Sequence, residues 1–304
     1  MHIPTRNGVG PSCVSLPAGP WPTVLDFLVE RMPGISREEW LDRLSHQLVL
    51  DETGQPVSAA AGYRPHTKLF YYRHIDNEPA LPSQAHILFE DEHLLVADKP
   101  HFMPVTPAGR YVQQSLLVQL KQLTGNDDLV PLHRIDRETA GLVLLGKRVQ
   151  DRDAYHALFR DKHIRKVYHA VASFDPDVSL PRIHTSRLAA GTPFFRMMEV
   201  PGQPNSETHI SLIKSEGQRA LYQLEPVTGK RHQLRVHMLA LGLPLQGDLF
   251  YPTVLRGPDE AEDFSQPLQL LAQSVSFLDP VTKRNTQFET QLSLGLGART
   301  GIVK

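Results

Sequence analysis

Apolar residues recur at helical spacing at Val24, Leu25, Leu28 and Val29, which predicts a helix near the start of the chain. A second helix is predicted from Ser36, an N-capping residue with Glu39 three positions on, through the apolar Trp40, Leu41 and Leu44. Short strands fit 48–50 and 68–72, with Thr53-Gly54 as a turn. Farther on, 87–89, a polar turn at 90–92 and 94–97 read as a hairpin. Helices fit 115–123 (stopping near Gly125), 150–162 and 232–241, the last with Leu234, Met238 and Leu241 on one face and Gly242 as its stop. Strands fit 142–145, 167–173, 208–213, 220–225 and 275–278. Strands outnumber helices, and many follow one another with no helix between. That order predicts an α+β fold on a largely antiparallel mixed sheet, not a doubly wound parallel one.

Punctuation along the chain predicts four segments. Residues 1–22 are rich in Pro, Gly and Ser and read as a flexible arm; 23–75 read as a small module of their own. Residues 76–84, with Pro79 and Pro82, read as a linker, and 85–304 as the main domain. No internal repeat is visible.

Composition narrows the classes. With 40% hydrophobic and 21% charged residues the chain matches ordinary soluble proteins, and no apolar run approaches membrane-span length. The first twenty residues hold no stretch resembling a signal peptide. A single cysteine, Cys13, excludes an internal disulfide framework and every cysteine-based zinc pattern, so a cytoplasmic location is expected. The net charge of -1 does not call for a nucleic-acid partner, but distribution matters more than the total. Residues 130–170 hold nine Lys/Arg against five Asp/Glu, and 219–240 hold four against one, while acidic residues gather at 259–263.

Three polar clusters carry candidate chemistry. The first, His133-Arg134-Ile135-Asp136-Arg137-Glu138, crowds ionisable side chains into a loop that runs directly into an apolar strand. The second is Thr228-Gly229-Lys230-Arg231-His232-Gln233-Leu234-Arg235-Val236-His237, where a glycine turn leads into a helix whose first N–H groups suit an anion. The third, Lys162-His163-Ile164-Arg165-Lys166-Val167-Tyr168, sets basic residues beside an aromatic, as a stacking nucleic-acid surface would. Taken singly, each has a plain structural explanation: a salt-bridged surface loop, a solvated helical turn, a packed tyrosine.

Taken together, their order and spacing resemble the RluA-type family of RNA pseudouridine synthases. The family's His-Arg-Leu-Asp-Arg-Glu-Thr-Ser-Gly signature is matched at 133–141, with Ile135 and Ala140 as conservative departures. Its Lys-x-Tyr element is matched by Lys166-Val167-Tyr168, and its Thr-Gly-Arg-x-His-Gln-Ile-Arg-x-His element by 228–237, with Lys230 in place of arginine. Asp98-Lys99-Pro100, Gly247-Asp248 with Tyr251, and Leu270-Leu271-Ala272 before Phe277-Leu278-Asp279-Pro280 extend the likeness over about 85–282. His101-Phe102 departs from the small residue and glycine usual there. More weakly, 23–73 resembles the small α-L RNA-binding module, with Ser36-Arg37 opening the second helix, but its six Lys/Arg against seven Asp/Glu suit an RNA grip poorly.

The resemblance implies an isomerase acting on structured ribosomal or transfer RNA. Asp136 would be the catalytic carboxylate, attacking C1′ or taking the C2′ proton; Arg235 would orient it and favour its charged form. Tyr168 would pack on the target base, and Arg134 would occupy the space that base vacates. Lys99, Lys166, Lys230 and Arg231 are candidate phosphate contacts, while Arg137 and Glu138 would lock the loop. The reaction breaks and remakes a bond to one sugar carbon with no redox step, so neither cofactor nor metal is expected, and nothing demands more than a monomer. Two other classes compete. A metal-dependent hydrolase is disfavoured because no His-Glu-x-x-His run exists and His232 and His237, five apart, leave one helix face. A non-catalytic RNA-binding paralogue would be expected to lack the aspartate, the tyrosine or the arginine, and all three are present.

Overall fold

The computed structural model describes residues 3–73, 75, 78–257 and 260–296. The chain falls into two units, one of Met1–Glu78 with Gly109–Gln113 and one of Pro79–Ala108 with Gln114–Lys304.

The first unit holds β1 (Ser12–Ser15), α1 (Val24–Arg31), α2 (Arg37–Ser45), β2 (Val49–Asp51) and β3 (Lys68–Tyr71). Both helices start on side-chain caps: Thr23 Oγ1 accepts from the Asp26 amide and Ser36 Oγ from the Glu39 amide. Phe27, Leu28 and Trp40 are fully buried, against β2 and β3. The expectation of a flexible arm over 1–22 needs correction. Ser12–Ser15 pairs antiparallel with β3 from Ser12↔Tyr71 to Ser15↔Lys68, and Leu16 packs in the core. Ladder bonds to a distant strand fix a segment whose local composition reads as loop. The linker expected at 76–84 fares similarly: residues 76 and 77 lie outside the described residues, but Leu81 packs into the core of the second unit.

That second unit contains β4 (His86–Glu90), β5 (Leu94–Lys99), α3 (Leu116–Thr124), β6 (Val130–Pro131), β7 (Ala140–Gly146), α4 (Arg152–Arg160) and β8 (Ile164–Ser173). It continues with β9 (Arg182–Ala190), β10 (Met197–Val200), β11 (Ser206–Glu216), β12 (Arg219–Pro226), α5 (Gln233–Ala240), β13 (Leu270–Leu278) and β14 (Asn285–Glu289). One eleven-stranded sheet runs β10-β9-β11-β12-β8-β13-β7-β5-β4, with β14 on β13 and β6 on β7. Its pairings are antiparallel except for β7 with β13. The α+β expectation therefore holds, and the sheet is mixed by that one pair.

β7, and β5 as far as Ala97, read as apolar runs because both of their faces are buried. Leu94, Val96, Leu142 and Leu144 point to one side, where Tyr155 and Leu158 of α4 cover them. Leu95, Ala97, Val143 and Leu145 point to the other, under Leu116 and Leu120 of α3. Across the sheet, α5 lays Leu234 and Met238 on Ala170, Tyr222 and Leu224. The parallel pair places the site: β7 meets β13 at Ala140↔Leu271 and Gly141↔Ala272, directly after the polar loop 133–139. Gly141 has φ +106, and a Cβ there would sit 2.3 Å from the Ala272 carbonyl oxygen, so only glycine lets the strands close at this point.

Candidate active site

The loop that joins β6 to β7 is fastened at both ends. At its start, the half-buried His133 accepts a hydrogen bond from the Leu144 amide at Nε2, 3.1 Å away, and its ring stacks on Phe159 at 4.7 Å. Burial, and then the charge of Lys166, pushes the His133 imidazole down to about 3, leaving it a neutral acceptor. At the far end, Arg137 makes a two-pronged ion pair with Glu262, at 2.9 and 3.0 Å, and donates from Nε to Glu138. Glu262 also receives Arg256; against the cost of burial, the two guanidiniums hold its carboxyl at about 2. Arg137 and Glu138 thus brace the loop, as the sequence leads one to expect, although the partner of Arg137 lies 125 residues away.

Lys99 braces it from beneath. Its ammonium is fully buried and donates to the carbonyls of Pro100 (2.9 Å), Met103 (2.8 Å) and Arg137 (3.1 Å). Three donors meet three acceptors. Burial lowers it to about 7, with Glu138 and Asp136 pulling the other way. The expected phosphate contact is corrected accordingly: no donor of Lys99 is left for RNA, and reaching solvent would orphan three carbonyls.

So fastened, the loop presents Asp136, whose side chain is 23% exposed, to the first turns of α5. Arg235 Nη1 lies 3.5 Å from Asp136 Oδ2 and 3.8 Å from Glu138 Oε2. The opposite edge of the same guanidinium grips Asp248 with two bonds, Nε to Oδ2 at 2.8 Å and Nη2 to Oδ1 at 2.6 Å. Phe250 and Tyr251 flank it, 5.1 and 5.2 Å from its central carbon. Against the cost of burial, Asp248 keeps Arg235 charged, raised above its ordinary value. Arg235 is 1% exposed, so its aim at Asp136 is set by Asp248 and the two rings, not by solvent. Asp248 in turn accepts from the amides of Phe250 and Tyr251, at a turn where Gly247 has φ +74.

The start of α5 is shaped by its own side chains. Gln233 accepts from Thr228 Oγ1 and the Lys230 amide, and donates to the Glu207 carbonyl and Thr208 Oγ1. His232 adopts φ +53 at the N-cap, bonds Tyr251 through Nδ1 at 2.9 Å, and brings Nε2 to 4.0 Å from Asp136 Oδ2. Burial, then Arg235, pushes His232 down to about 3, so a neutral imidazole faces the aspartate.

Asp136 opens into a cavity of about 560 Å³ lined by Arg134, Lys166, Tyr168, Lys230 and Arg235 among others. Tyr168 stands on β8; burial, and then the Asp136 charge, raises its phenol, which keeps its proton. Lys166, two residues back on the same strand, is lowered to about 8 by burial and by Lys162. Arg134 and Lys230 are exposed, and their side chains make no hydrogen bond or ion pair with the described residues. Arg231 is exposed too, with Nη2 on the carbonyls of Phe194 (2.8 Å) and Arg196 (3.2 Å). The fold therefore gathers Asp136, Tyr168, Arg235, Arg134, Lys166 and Lys230 around one cavity and sets Lys99 beneath its wall. Asp248 and His232 belong to the site without a role assigned from sequence; the Gly247-Asp248 pair was the available signal.

A second polar group lies away from Asp136. His184 bonds Glu199 at 2.7 Å, and its ring is 4.7 Å from that of His237. Both nitrogens of His237 meet hydroxyls, Nδ1 that of Thr208 and Nε2 those of Ser206 and Ser186. In this arrangement His184 and Glu199 are paired with each other and His237 with three hydroxyls. Among the described residues no helix is long and apolar enough to cross a membrane.

Comparison with known proteins agrees with this picture. Residues 93–240 match the family model described as RNA pseudouridylate synthase. An uncharacterized RNA pseudouridine synthase of Synechocystis is 31% identical over 234 residues, covering 75% of this chain and 79% of that protein. The dual-specificity RNA pseudouridine synthase RluA of Vibrio parahaemolyticus is 32% identical over 216 residues, 68% of this chain and 82% of its own. Human RNA pseudouridylate synthase domain containing 1 shares the fold, with a TM-score of 0.56 at 22% identity over 70% of this chain and 85% of its own. At this identity and coverage the chain belongs to the RNA pseudouridine synthase family and is an isomerase that converts uridine in RNA to pseudouridine.

Proposed function

We propose that this chain is an RluA-type synthase in which Asp136 is the catalytic carboxylate, acting on a uridine in a folded loop of ribosomal or transfer RNA. The observation that carries the reading is Asp136 at the cavity wall, partly open and 3.5 Å from a guanidinium that Asp248 holds rigidly. A carboxylate fixed in this way can reach a sugar carbon without the loop reorganising. Neutral Tyr168 closes the floor and would pack on the base. The target must leave its stack to enter, at a cost of about a few kcal/mol. Arg134, exposed and without a partner among the described residues, is free to fill the gap it leaves. Lys166, Lys230 and Arg231 would take flanking phosphates.

The RluA relative bears a dual-specificity name, which supports keeping more than one class of RNA among the candidates. The first unit fits a degenerate α-L-like module with a structural role: Arg37 is paired with Asp26 and Arg43 with Glu39, and Arg43 is buried beside Trp40. Pseudouridine mapping of total RNA from cells with and without this protein tests the proposal. At least one ribosomal or transfer RNA position should lose its modification without the protein. Identical maps would refute it.

A further inference from the structure

Phe194 is the most exposed large apolar side chain among the described residues, at 82%. Scattered surface hydrophobics are ordinary, but the setting of this one is not. It sits at the tip of the six-residue turn 191–196, between β9 and β10, and the turn is tied at several points. The Gly191 amide donates to the Arg196 carbonyl and the Arg196 amide to that of Pro193. Arg231, next to the cavity-lining Lys230 and His232, donates to the carbonyl of Phe194 itself. Arg196 lies over the Tyr251 ring at 4.8 Å and donates to the Pro252 carbonyl. The tip is thus rigid, and its ring extends outward from a tethered backbone.

An aromatic path leads from this tip to the reaction centre. Phe194 meets Phe195 at 5.7 Å, Phe195 meets Phe250 at 5.1 Å, and Phe250 lies over His232 at 6.0 Å and beside Arg235. Phe195, Phe250 and His232 are partly covered, whereas the outermost ring is left open to solvent among the described residues. A rigid exposed ring beside cations, continuous with a site that takes a flipped uridine, suits the face of an unpaired base. Fixing such a ring in advance removes ordering entropy that a mobile side chain would lose on binding.

We propose that Phe194 is a stacking platform for an unpaired base flanking the target uridine, with Arg231 as the residue that positions its turn. This rests on the reading of the Asp136 cavity as the active site. The test compares the full-length protein with Phe194→Ala, Phe194→Leu and Phe194→Tyr by binding to a single-stranded oligouridylate and to an abasic chain carrying the same phosphates. Phe194→Ala should weaken oligouridylate binding about tenfold, in the range of one lost base–aromatic stack. Its affinity for the abasic chain and its salt dependence should stay as in the wild type. Tyr should preserve binding, and Leu should fall close to Ala. In tritium release from [5-³H]uridine-labelled total RNA of cells lacking the protein, the loss should appear in KM, not in kcat. Thermal unfolding checks that the exposed substitution leaves the fold intact. Equal losses on both probes, no loss on either, or a Leu variant that binds like Phe would overturn the stacking role. So would a change of molecular mass in Phe194→Ala with RNA affinity unchanged, which would assign the ring to self-association. The binding arm does not depend on turnover, so a failure of Asp136 as the catalytic group would be visible separately.

Discussion

Among the cations around the Asp136 loop, two form an inner pair and two a rim pair. Lys99 and Arg235 are almost wholly buried, and their donors meet carbonyls or carboxylates. Arg134 and Lys230 are exposed, and their side chains have no polar partner among the described residues. On paper the four look alike: basic residues in polar motifs. The difference shows that basic character alone does not identify a phosphate contact. A buried cation whose donors are matched one to one builds the site, because withdrawing it leaves unpaired polar groups. A cation at the rim with nothing to hold is available to the substrate.

The inner pair depends most heavily on Asp248. Asp248→Asn removes the two-bond counter-charge of Arg235 where both side chains are 1% exposed, and breaking a buried pair costs about 3–5 kcal/mol. Stability in a denaturant titration should fall by that amount, and turnover should fall with it as Arg235 loses its aim. Unchanged stability would mean Arg235 is not an inner, structural cation. Next comes Lys99→Met, which leaves three carbonyls without donors and should cost about 3 kcal/mol, while the salt dependence of RNA binding stays the same. A shallower salt slope would move Lys99 to the rim.

Arg134→Ala should do the opposite. Its stability should stay within about 0.5 kcal/mol of the wild type, as for an exposed unpaired side chain. Single-turnover rates at saturating enzyme should drop more than RNA affinity does, because in the proposed role the residue would act after the base leaves its stack. Equal rates would remove Arg134 from that step. The smallest effect is expected from pH at Lys166, which lies between the two classes. Its ammonium titrates at about 8 in the free protein, below the ordinary lysine value, and a phosphate contact needs the charged form. RNA affinity should therefore hold below that pH and decline severalfold as pH rises about one unit above it. Lys166→Arg should abolish the decline; a wild-type curve that is flat across this range would deny Lys166 its phosphate.

The central sheet was legible because β5 and β7 carry apolar side chains on both faces, a pattern that polar surroundings make conspicuous. β9 was not legible: of its nine residues only Leu188 is buried, so the strand exists through ladder bonds to β10 and β11 and has no hydrophobic signature. β1 and β14 were missed for the same reason, being short or half-exposed strands held by their neighbours. In the site, the motif residues could be named from sequence, since their spacing is fixed by one loop and one helix start. What escaped was the inward direction of Lys99 and the grip of Asp248 on Arg235. Lys99 ends β5 and reads as a solvent-facing lysine until the turn back through Met103 encloses it. The partner of Arg235 lies 13 residues on, past the end of α5, where no local periodicity links the two.

The carboxylate held by this inner frame is the group proposed to perform the chemistry, and Asp136→Asn removes it alone. Tritium release from [5-³H]uridine-labelled RNA that the wild-type protein modifies should fall to background, while thermal stability and RNA affinity stay close to those of the wild type. Near wild-type release by Asp136→Asn would contradict the account.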